Sequence, residues 1–212
     1  MNKKLILIAG IPASGKTSCG LRIAKKFNVP FFSKDHFKER LHDALKWDNT
    51  VRANSKLYGG AAYDMALHAA ERTMAAGAPL MLESNFRPEN AVDIAEMVSR
   101  HNYEALTVLF DADIKTLHRR FIGRDETEER HPGLISGGLK HADFTLENFE
   151  AGCAPLRKFR VGELVIVDTT DFDSVDYGAL DGRIENFLRK RAEVGVVFGE
   201  AVGVKARDVV VP

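Results

Sequence analysis

Short apolar runs alternate along the chain with longer stretches whose apolar residues recur at helical spacing. Leu5-Ile6-Leu7-Ile8-Ala9 is continuously apolar, as a strand covered on both faces requires. A helix follows over Lys16–Phe27, with Leu21, Ala24 and Phe27 as its apolar stripe. Val29-Pro30-Phe31-Phe32 predicts a short second strand whose proline suits the strand's start or a sheet edge. Ser33 or Asp35 can cap a helix running to Lys46. The next helix spans Ala61–Ala76, with Met65, Ala69 and Met74 among its apolar positions, and stops at Gly77 before Pro79.

Leu80–Leu82 is a third strand ending at Glu83, and Glu89–Arg100 is helical. Leu106–Phe110 is a fourth strand ending at Asp111, and Asp113 caps a helix that continues through Arg124. Residues 125–138 are polar and contain glycine, the pattern of an exposed lid or loop. Leu164–Val167 is a fifth strand ending at Asp168, and Ser174–Arg191 supplies the last long helix. Residues 1–192 thus form one domain, and residues 193–212 are a tail without usable periodicity. Strands alternating with helices predict an α/β fold, a parallel sheet with helices on both faces. Ligands of such sheets bind beyond the carboxyl ends of the strands. Gly10, Ser33–Asp35, Glu83–Arg87 and Asp111 fall there.

Composition narrows the class. A chain of 212 residues buries roughly 70% of its unfolded surface and needs no staples. Lys+Arg and Asp+Glu both number 30, so the net charge is zero, which does not favour a broad nucleic-acid footprint but leaves room for a local groove. Cys19 and Cys153 give no disulfide framework; Cys19 reads as a buried thiol of the first helix, and a reduced, cytoplasmic compartment is the default. The run after Lys4 is too short for a secretory h-region, and no stretch approaches the ~20 apolar residues of a membrane span.

Gly10-Ile11-Pro12-Ala13-Ser14-Gly15-Lys16-Thr17 matches G-x-x-x-x-G-K-[ST] between a strand and a helix. Its glycines let successive N–H groups converge on an anion, and the following helix adds the positive end of its dipole. Gly10, Ala13, Ser14, Gly15, Lys16, Thr17 and Ser18 are therefore the expected nucleotide cradle. Lys16 would reach the β and γ phosphates of ATP and the Thr17 hydroxyl would ligate Mg²⁺.

Such loops serve phosphotransferases, GTPase switches and motors. The nearest guanine-reading pattern, Lys46-Trp47-Asp48, ends a predicted helix and fails; Trp47 and Tyr58 read as packing residues. A motor borrows arginines from neighbours, whereas this chain carries Arg119, Arg120, Arg124 and Arg130. Arg120 and Arg124 are i, i+4 and share a helix face, so they suit either phosphoryl-charge stabilisation or a solvated basic surface. Asp35 follows the second strand, where an acceptor-orienting base belongs, although a helix N-terminal carboxylate has the same signature. Glu83 suits a Walker B role in the Mg²⁺ shell, a signal shared by Asp111 and Asp168. Asn85 and Arg87 suit substrate binding or a surface loop equally, and His131 before Pro132-Gly133 reads as a turn.

The P-loop, Ser33-Lys34-Asp35, Glu83-Ser84-Asn85-Phe86, Arg120-Phe121-Ile122-Gly123-Arg124 and Arg130-His131-Pro132-Gly133, in that order, resemble the small P-loop kinases related to zeta toxins, the kinase module of polynucleotide kinases and chloramphenicol phosphotransferase. The resemblance covers Lys3 to Asn186. It implies a P-loop NTPase three-layer α/β/α sandwich with an AAA-type ATP-binding core, a five-stranded parallel sheet of adenylate-kinase-like order 2-3-1-4-5, and a mobile lid over residues 120–140. It also places Glu83's strand next to the P-loop strand and the Thr169-Thr170 region beside adenine. In polynucleotide kinases the residue before the matching aspartate is arginine, whereas here it is Lys34.

The expected activity is transfer of the ATP γ-phosphate to an acceptor hydroxyl, on a small molecule. Phosphorylation of a nucleic-acid 5′-hydroxyl would need a groove near Arg157, Lys158 and Arg160. A regulatory or toxin-type nucleotide-binding module with little turnover is the third alternative.

Overall fold

The computed structural model describes residues 3–48, 51–125, 127, 130–135, 144–190 and 209–211. Seven helices and six strands are arranged in the order β1 (Lys4–Gly10), α1 (Lys16–Phe27), β2 (Phe31–Ser33), α2 (Lys34–Leu45), α3 (Arg52–Ala75), β3 (Leu80–Glu83), α4 (Asn90–Arg100), β4 (Glu104–Asp111), α5 (Ile114–Asp125), α6 (Leu146–Cys153), β5 (Glu163–Asp168), α7 (Tyr177–Arg189) and β6 (Val209–Val211) among the described residues.

The sheet is parallel, in the order β2-β3-β1-β4-β5-β6. β1 lies between β3 and β4, and all seven of its residues are buried. Alternate side chains feed the two faces. Leu5, Leu7 and Ala9 pack with Ala66, Ala70 and Met74 of α3 and Ile94 and Met97 of α4. Ile6 and Ile8 pack with Ile23 of α1 and Leu180, Ile184 and Phe187 of α7. A third cluster joins Ile11 to Leu117 and Phe121 of α5 and Phe149 and Cys153 of α6. Burying one such large aliphatic side chain contributes about 1.5–3 kcal/mol. The expected three layers and the order 2-3-1-4-5 are both present. No described helix is long and apolar enough to cross a membrane.

The differences from the sequence reading have physical reasons. β6 pairs parallel with β5 through Val209–Val211, so part of the expected tail extends the sheet; residues 193–208 and 212 lie outside the described residues. In α1 the buried side is Cys19, Gly20 and Ile23, while Leu21 is 47% exposed. Gly20 is there because a Cβ would sit 2.9 Å from the Phe31 ring of β2, so the tightest contact uses the smallest residue.

α3 begins at Arg52, nine residues before Ala61, and buries Ala62, Ala66, Ala70 and Met74, leaving Met65 exposed. Alanines let α3 approach the sheet closely, and their small apolar signal hid the face. α6 has no counterpart in the predicted elements; Thr145 caps it by accepting the Asn148 N–H at 3.2 Å. α7 starts at Tyr177 rather than Ser174, where Asp176 accepts the Ala179 N–H at 2.8 Å. Asp113 caps α5 as expected, accepting the Thr116 N–H at 2.9 Å.

Candidate active site

β1 ends at Gly10 with φ +139°, and a Cβ there would lie 2.1 Å from the Phe110 carbonyl oxygen on β4. No other residue lets the chain turn off the sheet this close to its neighbour. The Ile11 N–H donates to that same Phe110 oxygen at 3.1 Å. Ala13 (φ +66°) and Gly15 (φ +77°) then curl the loop through left-handed backbone. Gly15 is the N-cap of α1 and supplies no side-chain acceptor. The helix's first N–H groups and its dipole therefore face the loop's concavity, as anion binding requires. The Thr169 hydroxyl braces the loop from β5's end, within 3.1 Å of the Ser14 carbonyl and 3.0 Å of that of Asp111.

Lys16 is buried, with Nζ 3.4 Å from the Ile11 carbonyl and 3.9 Å from Glu83 Oε1. Glu83 is 1% exposed, and the register sets it beside Ile8 of β1 and Ser33 of β2. The Ser33 hydroxyl donates to Glu83 Oε2 at 2.5 Å. Thus Ser33, predicted as a cap, occupies the N-cap position of α2 but spends its side chain on Glu83. Burial pushes the Glu83 carboxyl up against the pull of Lys16. Burial likewise pushes the Lys16 ammonium down against the pull of Glu83. At 3.9 Å the two compensate each other incompletely, so each charge remains suited to a further counter-charge. A phosphate fits Lys16. The hard oxygens of Glu83 and the Thr17 hydroxyl fit Mg²⁺.

The other strand-end acids are engaged elsewhere. Asp111 accepts from Arg157 Nε at 2.7 Å and Nη2 at 2.9 Å. Asp168 is exposed and accepts the Thr170 N–H at 2.8 Å. The three acids carry the same strand-end signal; the pairing of β3 with β1 and the partners of each tell them apart. Of the residues named for a nucleic-acid groove, Arg157 is paired with Asp111 and Arg160 Nε donates to the Gly162 carbonyl at 3.2 Å.

A cavity of about 570 Å³ opens in front of the loop. Pro12, Ala13, Gly15, Lys16, Thr17 and Ser18 form one side, and Asp35 and its neighbours on α2 form the other. Lys34 Nζ lies 2.9 Å from Asp35 Oδ1. Burial pushes the Asp35 carboxyl up, but Lys34, Lys16 and Arg130 outweigh it and hold it at about 2. Asp35 is therefore an anion at any physiological pH.

Arg120, Arg124 and Arg130 all line the cavity, with different neighbours. Arg120 donates to the carbonyls of Thr169 (2.7 Å) and Thr170 (3.0 Å) and lies 4.0 Å over the Phe172 ring. Arg124 lines the cavity near enough to Lys16 for its positive charge to oppose that of the ammonium. Asn85 also lines it, with its buried Oδ1 unpartnered among the described residues. Arg87 does not; it is exposed and its backbone N–H donates to Asn90 Oδ1 at 2.8 Å, forming the turn into α4.

Part of the expected lid is described. Pro132–Leu134 is a short 3-10 turn whose buried Gly133 packs on His42 of α2. His131 accepts the Gly133 N–H on Nδ1 at 3.1 Å, the expected turn, and its Nε2 lies 3.2 Å from Asp43. Residues 126, 128–129 and 136–140 of the expected lid lie outside the described residues. Trp47 is a packing residue as expected, stacked on Tyr58 at 4.1 Å. Lys38, Leu134 and Phe172 line the cavity and were not singled out in the sequence. Lys38 was detectable, since it stands four residues from Lys34 on one face of α2; Phe172 had no signal in its own segment.

Among curated proteins no sequence match is found. Among solved structures, a provisionally assigned kinase from Chloroflexus aurantiacus j-10-fl is 28% identical, with TM-score 0.78 over 89% of this chain and 100% of that one. A sugar kinase from Janibacter sp. HTCC2649 shares the fold at 12% identity, with TM-score 0.54 over 89% of this chain and 95% of that one. A family model described as "AAA domain" matches residues 5–137, from the P-loop strand through the arginines of α5 to the turn against α2. The chain therefore belongs to this AAA domain family, a P-loop kinase-like family.

Proposed function

We propose that the chain is an ATP-dependent phosphotransferase that moves the γ-phosphoryl group to the hydroxyl of a small molecule. The observation that carries this reading is Asp35, an ionised carboxylate facing the P-loop across one cavity that Arg124 and Lys16 also line. The kinase assignment of the 28% identical structure supports the same class.

The P-loop amides and Lys16 bind the β and γ phosphates. Thr17 and Glu83 would hold Mg²⁺, which when bound neutralises charge between those phosphates. Asp35 orients the acceptor hydroxyl. A new oxygen–phosphorus bond forms at the γ-phosphorus while its bond to the β–γ bridging oxygen breaks, and ADP leaves with that electron pair. With its acidity near 2, Asp35 is too weak a base to ionise an alcohol beforehand. It takes the proton late, once the new bond has made the hydroxyl acidic, and passes it to solvent. Lys16 and Arg124 balance charge on the transferring group. Arg120, stacked on Phe172 beside Thr169 and Thr170, borders the position of the nucleotide base.

An ADP-release screen over hydroxyl-bearing metabolites, nucleosides and oligonucleotides, with Lys16→Ala as the blank, tests the proposal. Acceptor-dependent release with a small alcohol supports it; release only with oligonucleotides would replace it with the polynucleotide reading.

A further inference from the structure

The acceptor side of the cavity carries a charge imbalance that the transfer chemistry leaves unexplained. Lys38 lines the cavity from α2, yet it is 6% exposed. Its ammonium donates to the Ser55 hydroxyl of α3 at 2.8 Å, and among the described residues no carboxylate stands within ion-pair distance of it. Asp35 is matched to Lys34 at 2.9 Å instead. Arg130, next to the turn that packs against α2, adds to the positive potential at Lys38. Burial, with Lys34 and Arg130 nearby, outweighs the opposing pull of Asp35 and draws the Lys38 ammonium down to about 8.

A buried cation held by one neutral hydroxyl is costly, and proteins retain such groups where an anion completes them. The P-loop and Lys16 would take the ATP phosphates on the other side of the cavity. Lys38 is on α2, one helical turn beyond Asp35, where an acceptor with its hydroxyl at Asp35 would extend. Glu39 and His36 also border this region, so the positive site is local rather than spread over the wall.

Resting on the kinase reading above, we infer that the acceptor is an anionic alcohol, whose carboxylate or phosphate is bound by Lys38 with Arg130. The two anionic groups share the recognition chemistry and are separated by experiment. A purely structural role, Lys38 tying α2 to α3 through Ser55, is the competing explanation.

The test uses the full chain with its P-loop filled by Mg²⁺ and a non-hydrolysable ATP analogue. The titration of each methylated lysine is followed by carbon NMR, with Lys38→Met assigning the Lys38 signal. Glycerate, glycerol 3-phosphate and glycerol are added in turn. A bound anion raises the Lys38 titration midpoint by about one pH unit or more, a roughly tenfold change in proton affinity. A response to glycerate alone selects a carboxylate, and a response to glycerol 3-phosphate alone selects a phosphate. No response to either anion, or an equal response to glycerol, overturns the inference.

In turnover, Lys38→Met lowers kcat/KM for an anionic acceptor at least about tenfold and for its neutral analogue less than about twofold. Ser55→Ala, which keeps the ammonium, spares both acceptors. Equal losses in Lys38→Met and Ser55→Ala would establish the structural role instead. Turnover of neutral alcohols without a Lys38 response leaves the kinase reading standing and this one fallen. A Lys38 response with no phosphotransfer to any acceptor overturns the kinase reading and the acceptor inference with it, and leaves only an anion site at Lys38.

Discussion

The Ser33 hydroxyl donates to Glu83 Oε2 at 2.5 Å, joining the ends of β2 and β3 directly behind Lys16. This bond fixes which carboxylate oxygen turns toward Lys16 and the cavity. Ser33→Ala leaves Glu83 buried with one oxygen unsatisfied, which costs about 1–3 kcal/mol. The expected result is a lower melting temperature and a higher Mg²⁺ requirement in the ADP-release assay, while Ser33→Thr retains both.

Gly10→Ala tests the loop's departure from the sheet. Its Cβ would stand 2.1 Å from the Phe110 carbonyl, which β4 cannot move without losing ladder bonds. Nucleotide binding, read by calorimetry, should be lost or the chain should fail to fold; an unchanged affinity would refute the geometry of the loop.

Arg120 and Arg124 should separate kinetically. Arg120 is tied to the Thr169 and Thr170 carbonyls over Phe172, so Arg120→Ala raises KM for ATP more than it lowers kcat. Arg124→Ala lowers kcat by about 10²–10³-fold, the usual effect of removing one transition-state donor. The reverse pattern in steady-state kinetics would exchange their roles.

Lys38 links stability to pH. Its folded-state acidity near 8 lies below the unfolded lysine value of 10.5. Between those values the unfolded chain binds more protons than the folded one, so this group makes stability rise as pH increases from about 8 to about 10.5. Below about 8 both states carry the proton and the penalty for the buried charge is constant. Urea unfolding of the wild type minus that of Lys38→Met should show this rise, and a flat difference would contradict it.

The sheet was legible because Leu5–Ala9 of β1 is apolar without a break, is only a strand long and runs straight into Gly10, as a strand covered on both faces does. The P-loop was legible because its glycines answer to steric demands that no other residue meets. The face of α3 was not, since it is built from Ala62, Ala66 and Ala70, whose small side chains carry little periodic signal. The resemblance set Glu83 above Asp168 by placing its strand beside the P-loop strand, as the sheet order has it, whereas only the Arg157 pair tells Asp111 apart. Phe172 reaches the cavity only because the segment after β5 passes over Gly15, a long-range contact invisible to spacing.

The fate of the γ-phosphate is the most direct test of the proposed activity. Phosphorus NMR of the wild-type chain with Mg²⁺, ATP and an acceptor found by the screen should show a phosphomonoester growing in step with ADP. Lys16→Ala and Asp35→Asn should both abolish that signal, the latter with ATP binding intact. Formation of ADP and inorganic phosphate alone, or full transfer by Asp35→Asn, would contradict the assignment.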